Sequence, residues 1–333
     1  MLLAGDIGGT KTNLAIFSVE QGLHDPIMEA TFPSGNYASL EAVVLEFFEQ
    51  IKPQGFDPTT ISQGSFGVAG PVMNGQATIT NLPWVMDEAQ LAATLHIPAV
   101  ELLNDLESIA SAVPFLEPGD VYTLNQGQPV PGGPMVVIAP GTGLGEAYLT
   151  WDGRHYRAHA SEGGHKDFAP TNAMEIGLLQ YLQTKYNHVS YERVCSGIGI
   201  PNIYNYLRDS GQAEEPAWLA KKLVGLKDPT PIIITTALDD ATACDICTTT
   251  LETFIDILAR ESGNMALNIL ASGGVYLGGG IPPRILAALK QGRFVVSFHR
   301  KGRFTEMLSK FPVHVILNPK VALLGAAYHG RNV

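Results

Sequence analysis

At 333 residues the chain is long for one hydrophobic core and comfortable for two lobes that each bury their own apolar set. Hydrophobic residues make up 45% of it and charged residues only 16%, which excludes a disordered chain. The net charge of -11 disfavours a general nucleic-acid surface, which needs clustered Lys and Arg, and no apolar run reaches the roughly 20 residues that cross a bilayer. We therefore expect a cytoplasmic globular protein that binds neither nucleic acid nor membrane.

The first seventeen residues form an apolar run that is interrupted by Asp6 and by the turn Gly8-Gly9-Thr10. This pattern predicts a β-hairpin whose tip offers backbone N–H groups to an anion such as phosphate. The spacing differs from the phosphate loop of GTPases, because Thr10 and not glycine precedes Lys11. The alternative is a hairpin that uses the two glycines only for their positive φ angles.

Strand-like and helix-like segments alternate after this hairpin, as in an α/β protein. Apolar residues at helical spacing over 40–51, after Ser39 as N-cap, predict a helix. The segments 64–72 and 99–103 read as strands, the first ending at Gly-Pro.

The pair Asn104-Asp105 follows the second of these strands and precedes a helix-like segment. A carboxylate at the C-terminal end of a strand lies where open α/β sheets place ligands, and it can accept a proton from a substrate hydroxyl. The alternative is that Asn104 or Asp105 caps the helix, with Glu107 completing a box-like pattern. The residues alone leave both interpretations open.

The segment 135–149 repeats the first pattern, with an apolar strand, the turn Gly141-Thr142-Gly143 and a resumed strand. Two such hairpins suggest two related lobes that each contribute a phosphate loop to a cleft.

Glu162-Gly-Gly-His165 combines a carboxylate and an imidazole three residues apart. On a helix the pair could bind a metal, but the two glycines disfavour a regular helix. In a loop the same side chains can hydrogen-bond the neighbouring hydroxyls of a polyol. An ordinary turn with a solvated Glu and a packed His is the alternative.

The second half of the chain has two weaker signals. Residues 216–232 have little periodicity and read as a surface excursion. Cys244 and Cys247 form a Cys-x-x-Cys pair, but their helical spacing with Leu251 and Phe254 favours a buried helix face over a redox or metal site.

Toward the end of the chain, Gly278-Gly-Gly280 follows a strand and precedes a helix that a proline opens. This turn lets the backbone approach a flat or anionic ligand closely, although tight packing alone could also require it. Asn318-Pro319 then predicts the start of a helix with a small-residue face over 321–327.

Several short motifs occur in order along the chain: Asp6-Ile-Gly-Gly-Thr10, Gly67-Val-Ala-Gly-Pro71, Thr80-Asn81, Asn104-Asp105, Pro140-Gly-Thr-Gly-Leu-Gly145, Ser161-Glu-Gly-Gly-His-Lys-Asp-Phe-Ala-Pro170, Glu192-Arg-Val-Cys-Ser-Gly197 and Gly278-Gly-Gly280. This ordered set resembles the bacterial glucokinase family, in the branch related to the enterobacterial enzyme. The match runs over nearly the whole chain, from Asp6 to the Gly325-Ala-Ala327 helix.

The resemblance implies transfer of the γ-phosphoryl group of ATP to the 6-hydroxyl of glucose, which yields glucose 6-phosphate and ADP. It implies an α/β, two-lobed actin-like ATPase (ribonuclease H-like) fold, with a mixed sheet flanked by helices in each lobe and the active site in the cleft between. We expect a small domain of residues 1–112 plus 316–333 and a large domain of residues 113–315. Relatives suggest a homodimer.

The resemblance also implies residue roles. Asp105 would be the catalytic base. The sugar would be bound by Asn81, Asn104, Asp105, Glu162, His165 and Glu192. The nucleotide would be bound by Asp6, Gly8, Gly9, Thr10, Lys11, Gly141, Thr142, Gly143, Gly278, Gly279 and Gly280. No side chain would bind a metal directly, because Mg²⁺ would arrive with ATP and Asp6 would act on it through water.

Two departures and two alternatives accompany the resemblance. The related repressor/kinase group usually carries a zinc-binding Cys-x-Cys-Gly-x-x-Gly-Cys motif that is missing here, so His165 is assigned to the sugar, and Lys11 stands where relatives often have Asn. A kinase for mannose, fructose or N-acetylglucosamine is one alternative, because sequence resolves hydroxyl preference poorly. A non-catalytic sugar-sensing regulator is the other; it would need a DNA-binding segment before the hairpin, and we expect none because the hairpin begins at Leu2.

Overall fold

The structure is a computed structural model that describes residues 1–79 and 82–331. The chain divides into two compact units, of which unit 1 comprises Met1–Glu117, Arg154–Ala160 and Asn318–Val333. Unit 2 comprises Pro118–Gly153 and Ser161–Leu317.

The strands are β1 (Leu2–Ile7), β2 (Lys11–Phe17), β3 (Met28–Pro33), β4 (Gln63–Val68), β5 (Val72–Met73), β6 (Gln76–Thr78), β7 (Val85–Asp87), β8 (Ala99–Asn104), β9 (Val121–Asn125), β10 (Met135–Pro140), β11 (Leu144–Trp151), β12 (Tyr156–Ser161), β13 (Gly274–Leu277) and β14 (Val313–Ile316). The helices are α1 (Leu40–Ile51), α2 (Glu88–Leu95), α3 (Asp105–Ala112), α4 (Ala173–Gln183), α5 (Gly199–Asp209), α6 (Ala217–Leu223), α7 (Thr230–Leu238), α8 (Asp245–Ile269), α9 (Ile281–Arg284), α10 (Leu286–Leu289), α11 (Arg293–His299), α12 (Thr305–Ser309) and α13 (Val321–Arg331).

The main sheet of unit 1 has the strand order β3-β2-β1-β4-β8. The predicted hairpin is confirmed, since β1 and β2 pair antiparallel with Leu2 opposite Phe17. Strands β1, β4 and β8 run parallel, and Ile7, Val68 and Asn104 lie side by side at their carboxyl ends. A small antiparallel sheet of β5, β6 and β7 belongs to the same unit.

Helix α1 confirms the helix predicted over residues 40–51. The Ala42 amide donates to Ser39 Oγ at 3.4 Å, which satisfies one of the N–H groups left unpaired at a helix start. The apolar stripe is buried in the unit 1 core, with Val43, Val44 and Phe47 at 1% exposure or less.

Helix α13 packs against α3, β1 and β4. It begins at Val321, two residues later than the predicted start, because the Asn318 side chain accepts from the Lys320 amide at 2.8 Å in a turn just before the helix. The expected small-residue face is confirmed: a Cβ on Gly325 would lie 2.6 Å from the carbonyl carbon of Ser108, and Ser108 Oγ donates to the Ala322 carbonyl at 2.7 Å.

The strands of unit 2 follow the order β11-β10-β13-β14-β9. Strands β10 and β11 form the second predicted hairpin, with Pro140 opposite Leu144, while β13 runs parallel to both β10 and β14. Helix α8 crosses the core of this unit and buries Cys247, Phe254 and Leu258, which confirms the buried helix face for Cys247. Cys244 is the N-cap of α8 and is only partly buried against the same core.

Two expectations about organisation differ from the structure. Residues 216–232 are mostly exposed, as a surface segment should be, but they are more regular than expected, because α6 and the first turn of α7 form there and α6 buries Leu219. The prolines that open these short helices obscured their periodicity. The expected small domain (1–112 plus 316–333) and large domain (113–315) differ from the two units mainly at Arg154–Ala160. This segment belongs to unit 1, where it lines a cavity with residues of α3 and α13.

Across residues 1–79 and 82–331, no helix is long and apolar enough to span a membrane. Even α8, with 25 residues, carries acidic and basic side chains along its length.

We expect Gly325→Ala to destabilise the protein by about 1–3 kcal/mol, because the added methyl group overlaps the backbone of α3. The free-energy cost of this overlap exceeds the gain from the higher helix propensity of alanine. Urea unfolding measures the effect. Gly35→Ala is the control, since no described atom outside Gly35 and its two chain neighbours lies within 4 Å of the position that its Cβ would occupy. Equal unfolding midpoints for the two variants would contradict the tight packing of α13 on α3.

Candidate active site

The parallel strands of unit 1 bring two of the predicted acidic positions to one edge of the sheet. Asp6 is in register with Gly67 of β4, and Gly67 is in register with Leu103 of β8. Two strand spacings separate Asp6 from the end of β8, or roughly 10 Å. Asp105 follows β8 immediately as the first residue of α3, so both carboxylates belong to the carboxyl edge where open α/β sheets bind ligands.

Asn104 caps α3 and is held firmly. Its Oδ1 accepts from the Leu106 amide at 2.9 Å, and its Nδ2 donates to the Gly70 carbonyl at 3.0 Å. The Glu107 carboxylate accepts from the Asn104 amide, which completes the capping box considered from the sequence. The capping interpretation is therefore confirmed for Asn104 and Glu107.

The Asp105 carboxylate is oriented by the same helix start. Its Oδ1 accepts from the Leu106 amide at 2.9 Å, a charge-assisted hydrogen bond at the positive end of α3. A capped and oriented helix start is compatible with a chemical role, because it fixes the direction of the carboxylate.

Asp6 is the second acid of this edge. Burial raises the pKa of its carboxyl group, and a hydrogen bond from Asn13 Nδ2, at 3.1 Å from Asp6 Oδ2, offsets part of that rise. Thr31 Oγ1 donates to Asn13 Oδ1 at 2.8 Å and thereby fixes the amide. A nearby cation would favour the ionised form of such a carboxyl group.

The glycine turn between β1 and β2 is closed by its own backbone. The Gly8 amide donates to the Lys11 carbonyl at 2.9 Å, and Ser34 Oγ donates to the Gly8 carbonyl at 2.7 Å. Gly8 and Gly9 are not among the described glycines that have a positive φ angle. The alternative interpretation, in which the turn uses these glycines for positive φ angles, is therefore wrong. Because its N–H is engaged, Gly8 offers a ligand close approach of the backbone and not a hydrogen bond.

The two glycine turns of unit 2 lie against each other. The Gly278 amide donates to the Ile138 carbonyl of β10 at 2.9 Å. Gly279 has a φ of +76°, and a Cβ there would lie 2.6 Å from the Pro140 carbonyl oxygen. The Gly141 amide donates to the Gly143 carbonyl at 2.9 Å across the other turn. Tight packing thus explains Gly279, while Gly280 faces a cavity together with Gly141 and Thr142.

That cavity has a volume of about 690 Å³ and is lined by Gly141, Thr142, Gly197, Asp228, Thr230, Pro231, Ile234, Thr235, Leu238, Gly280, Ile281 and Arg284. Helix α7 forms one of its walls, and sequence reasoning missed these residues. The signal that could have found them is Asp228-Pro-Thr-Pro231, a helix-start pattern: Asp228 Oδ1 accepts from the Thr230 amide at 3.0 Å.

Glu162 and His165 lie on a short turn of 3₁₀-helix over Gly163–His165, as the loop interpretation predicts. The Glu162 Oε2 and His165 Nε2 atoms are 3.9 Å apart, and their side chains are 77% and 60% exposed. Across the described ranges 1–79 and 82–331, no group of three or more His, Cys, Asp or Glu residues could hold a metal ion.

Glu192 joins His165 on the wall of a second cavity of about 360 Å³. Its Oε2 accepts from the Leu144 amide at 3.1 Å, which places the carboxylate beside the Gly141–Gly143 turn. Unit 2 therefore brings His165 and Glu192 together. Asn81, the remaining predicted sugar ligand, lies outside the described residues.

Comparison with known proteins agrees with these motifs. The Glucokinase family model matches residues 3–333. The chain is 39% identical to the glucokinase of Trichormus variabilis, over 98% of both proteins, and 36% identical to that of Yersinia pestis, over 99% of this chain and 96% of the relative. A solved glucokinase structure from an Antarctic psychrotroph superposes with a TM-score of 0.86 at 29% identity, covering 100% of this chain and 99% of that one.

The architecture of the two units and this structural neighbour assign the actin-like ATPase fold, with a mixed sheet flanked by helices in each unit. The family match extends over nearly the whole length of the chain. The chain belongs to the glucokinase family.

Proposed function

We propose that Asp105 is the general base with which this member of the glucokinase family transfers the γ-phosphoryl group of ATP to the 6-hydroxyl of glucose. The observation that carries this proposal is the position of Asp105, a carboxylate oriented by the start of α3 at the carboxyl end of β8. As the 6-hydroxyl oxygen attacks phosphorus, the carboxylate accepts the hydroxyl proton. General-base assistance of this kind contributes about 10²- to 10⁴-fold to the rate.

Five further residues bind the sugar in this proposal. Carboxylates accept from hydroxyls, while amide and imidazole groups can donate or accept, so a mixed set orients a polyol. These residues are Asn81, Asn104, Glu162, His165 and Glu192. The cavity shared by His165 and Glu192, together with the exposure of the Glu162 side chain, supports the part of the set that belongs to unit 2.

The cavity of about 690 Å³ in unit 2 is the proposed nucleotide site. Ile234, Leu238 and Ile281 supply apolar surface suited to a purine, and its glycine border lets a ligand approach the backbone. The phosphates would lie against the two glycine-threonine turns, that is, against Gly8, Gly9, Thr10, Lys11, Gly141, Thr142 and Gly143, while Gly278, Gly279 and Gly280 would border the adenosine. Lys11 would contribute positive charge, and phosphoryl transfer depends mainly on such positioning and charge neutralisation.

Magnesium fits the donor chemistry of Asp6, which is a partly buried carboxylate. Burial raises the pKa of this carboxyl group, and a nearby cation would lower it again. We propose that Asp6 holds Mg²⁺ through water, because this ion keeps several waters in protein sites. When bound, the ion would neutralise charge on the phosphates of ATP.

Three finer points are also proposals. Preference for glucose over mannose, fructose or N-acetylglucosamine is tested by comparing kcat/KM across the four sugars. A homodimer and a cytoplasmic location stay predictions from the resemblance and the composition. Because the chain belongs to a family of kinases, a sugar sensor without catalysis is no longer favoured.

We expect Asp105→Asn to lower kcat about 10²- to 10⁴-fold while glucose binding stays within a few-fold of wild type. Asparagine keeps the oxygen that accepts from the Leu106 amide, so the helix start survives and only the proton acceptor is lost. A coupled assay with ATP, Mg²⁺ and glucose gives kcat, and calorimetry gives the affinity for glucose.

The matched control is Asp87→Asn, another aspartate that accepts from a backbone amide at a helix start of unit 1, that of Gln90 at 2.9 Å. We expect it to leave kcat unchanged. Near wild-type turnover in Asp105→Asn would exclude Asp105 as the base.

Thr235→Trp tests the nucleotide site. Thr235 is exposed on α7 and lines the cavity, so an indole can enter the cavity without disturbing the core. We expect KM for ATP to rise about tenfold or more with little change in KM for glucose. Thr242→Trp, at an exposed position that does not line this cavity, should change neither constant. An unchanged KM for ATP in Thr235→Trp would show that the nucleotide binds outside this cavity.

A further inference from the structure

A buried charge cluster lies beneath the turn that carries Glu162 and His165. Lys166 Nζ lies 3.0 Å from Glu146 Oε2 of β11 and 2.5 Å from Glu261 Oε1 of α8. The carboxylate side chains are 2% and 1% exposed, whereas the lysine side chain is 40% exposed. One ammonium group thus links the turn to a strand and to the central helix of unit 2.

The α8 end of the cluster is fixed by further hydrogen bonds. Asn264 Nδ2 donates to Glu261 Oε2 at 2.9 Å and lies 3.0 Å from Tyr191 Oη. Lys301 bonds the Asn264 side chain and also donates to the Arg260 carbonyl at 2.9 Å. Glu261 is therefore a rigid anchor for Lys166.

The cluster reaches the turn through both backbone and side chain. The Lys166 amide donates to the Gly163 carbonyl at 3.0 Å, and the Lys166 carbonyl accepts from the Tyr191 amide at 2.9 Å. A Cβ on Gly163 would collide with the Glu146 carboxylate, so this carboxylate supports the turn directly from below. A displacement of the Lys166 ammonium group would shift the residue that precedes it, His165.

Stability alone does not require such a cluster. Replacing a buried ionic cluster by apolar residues of similar volume is often neutral or stabilising, while removing one partner is costly. The geometry instead suits a positioning role, because β11 and α8 each bring a buried carboxylate to the one lysine that ends the turn proposed to bind the sugar.

We propose that Lys166, anchored by Glu146 and Glu261, is a positioning residue that sets the geometry of the Glu162–His165 turn and thereby the affinity for glucose. This inference rests on the proposed assignment of Glu162 and His165 to the sugar.

The charge state of the cluster changes near neutral pH. Burial and the charge of Glu261 raise the pKa of Glu146 to about 7, and Lys166 opposes that rise in part. Burial alone would lower the pKa of Lys166, but its two carboxylate partners raise it, so the lysine stays cationic. Tyr191 faces Glu261, and Cys195 faces both carboxylates. Burial is the main cause that raises the pKa of each of these groups, and the carboxylates add to the rise, so neither ionises in this range.

The two consequences of Glu146 ionisation have opposite signs. Folding favours protonated Glu146, so its contribution to stability is complete below the ordinary glutamate pKa and is lost as the pH rises through about 7. Above that pH, however, Lys166 gains its second anionic partner. We therefore expect the turn to be held more tightly, and KM for glucose to be lower, above pH 7 than below it.

The test compares Lys166→Met and Glu146→Gln with wild type from about pH 6 to about pH 8, either side of the Glu146 pKa. We expect Lys166→Met to raise KM for glucose about tenfold, as for side chains that orient ligands in other sites, with little change in KM for ATP. Glu146→Gln imitates the protonated form, so it should show the higher KM throughout and lose the part of the pH dependence that Glu146 supplies. Wild type and Glu146→Gln share every other titratable group, so the difference between their pH profiles isolates Glu146.

Three controls keep the outcomes distinct. Lys310→Met breaks an exposed ion pair with Glu306 and should change neither KM. The triple variant Glu146→Leu, Lys166→Met, Glu261→Leu is expected to fold but to show the same raised KM for glucose as Lys166→Met. A wild-type KM for glucose in this folded triple variant would overturn the positioning role. His165→Asn tests the sugar assignment itself.

If His165→Asn raises KM for glucose while Lys166→Met and Glu146→Gln do not, the positioning proposal fails and the sugar assignment stands. If His165→Asn has no effect, the sugar assignment fails.

Discussion

The parallel alignment of β1, β4 and β8 is the constraint on which the candidate site of unit 1 depends. Parallel neighbours must end at the same edge of a sheet, so the register that sets Ile7, Val68 and Asn104 side by side also brings Asp6 and Asp105 to that edge. The start of α3 then orients Asp105. Unit 2 uses the same arrangement, because parallel β10 and β13 bring two glycine turns to the ends of their strands.

Features that depend on neighbouring residues could be predicted from the sequence. Both hairpins, the Ser39 cap of α1 and the small-residue face of α13 were recognisable because hydrogen-bonding and packing requirements act over a few positions. The capping box of Asn104 was equally legible, but local pattern could not decide whether a capping residue also has a chemical role. The resemblance supplied what the local pattern left open, namely the family and its expected ligands.

Features assembled from distant segments could not be predicted. Helix α7 forms a wall of the larger cavity, and its start is joined to that wall by a contact across 33 positions, in which Thr230 Oγ1 donates to the Gly197 carbonyl at 2.7 Å. The cluster of Glu146, Lys166 and Glu261 is a stronger case, since 95 positions separate the lysine from its partner on α8. In the sequence these residues look like ordinary surface charges. Burial gives them a different character, and burial is a property of the folded chain.

The packing of α13 has a consequence for the order of folding. This helix packs on β1, β4 and α3, so unit 1, which also includes Arg154–Ala160, is completed only by a helix that starts at Val321. On the ribosome, chains emerge from the N-terminus, so the apolar surface of β1 and β4 stays exposed while unit 2 is synthesised. Unit 2 can fold during this time. The entropic cost of bringing α13 back to unit 1 rises only slowly with the length of the chain between them, so the final docking of this helix is not prohibitive. Of the two units, the one that is begun first is thus completed last.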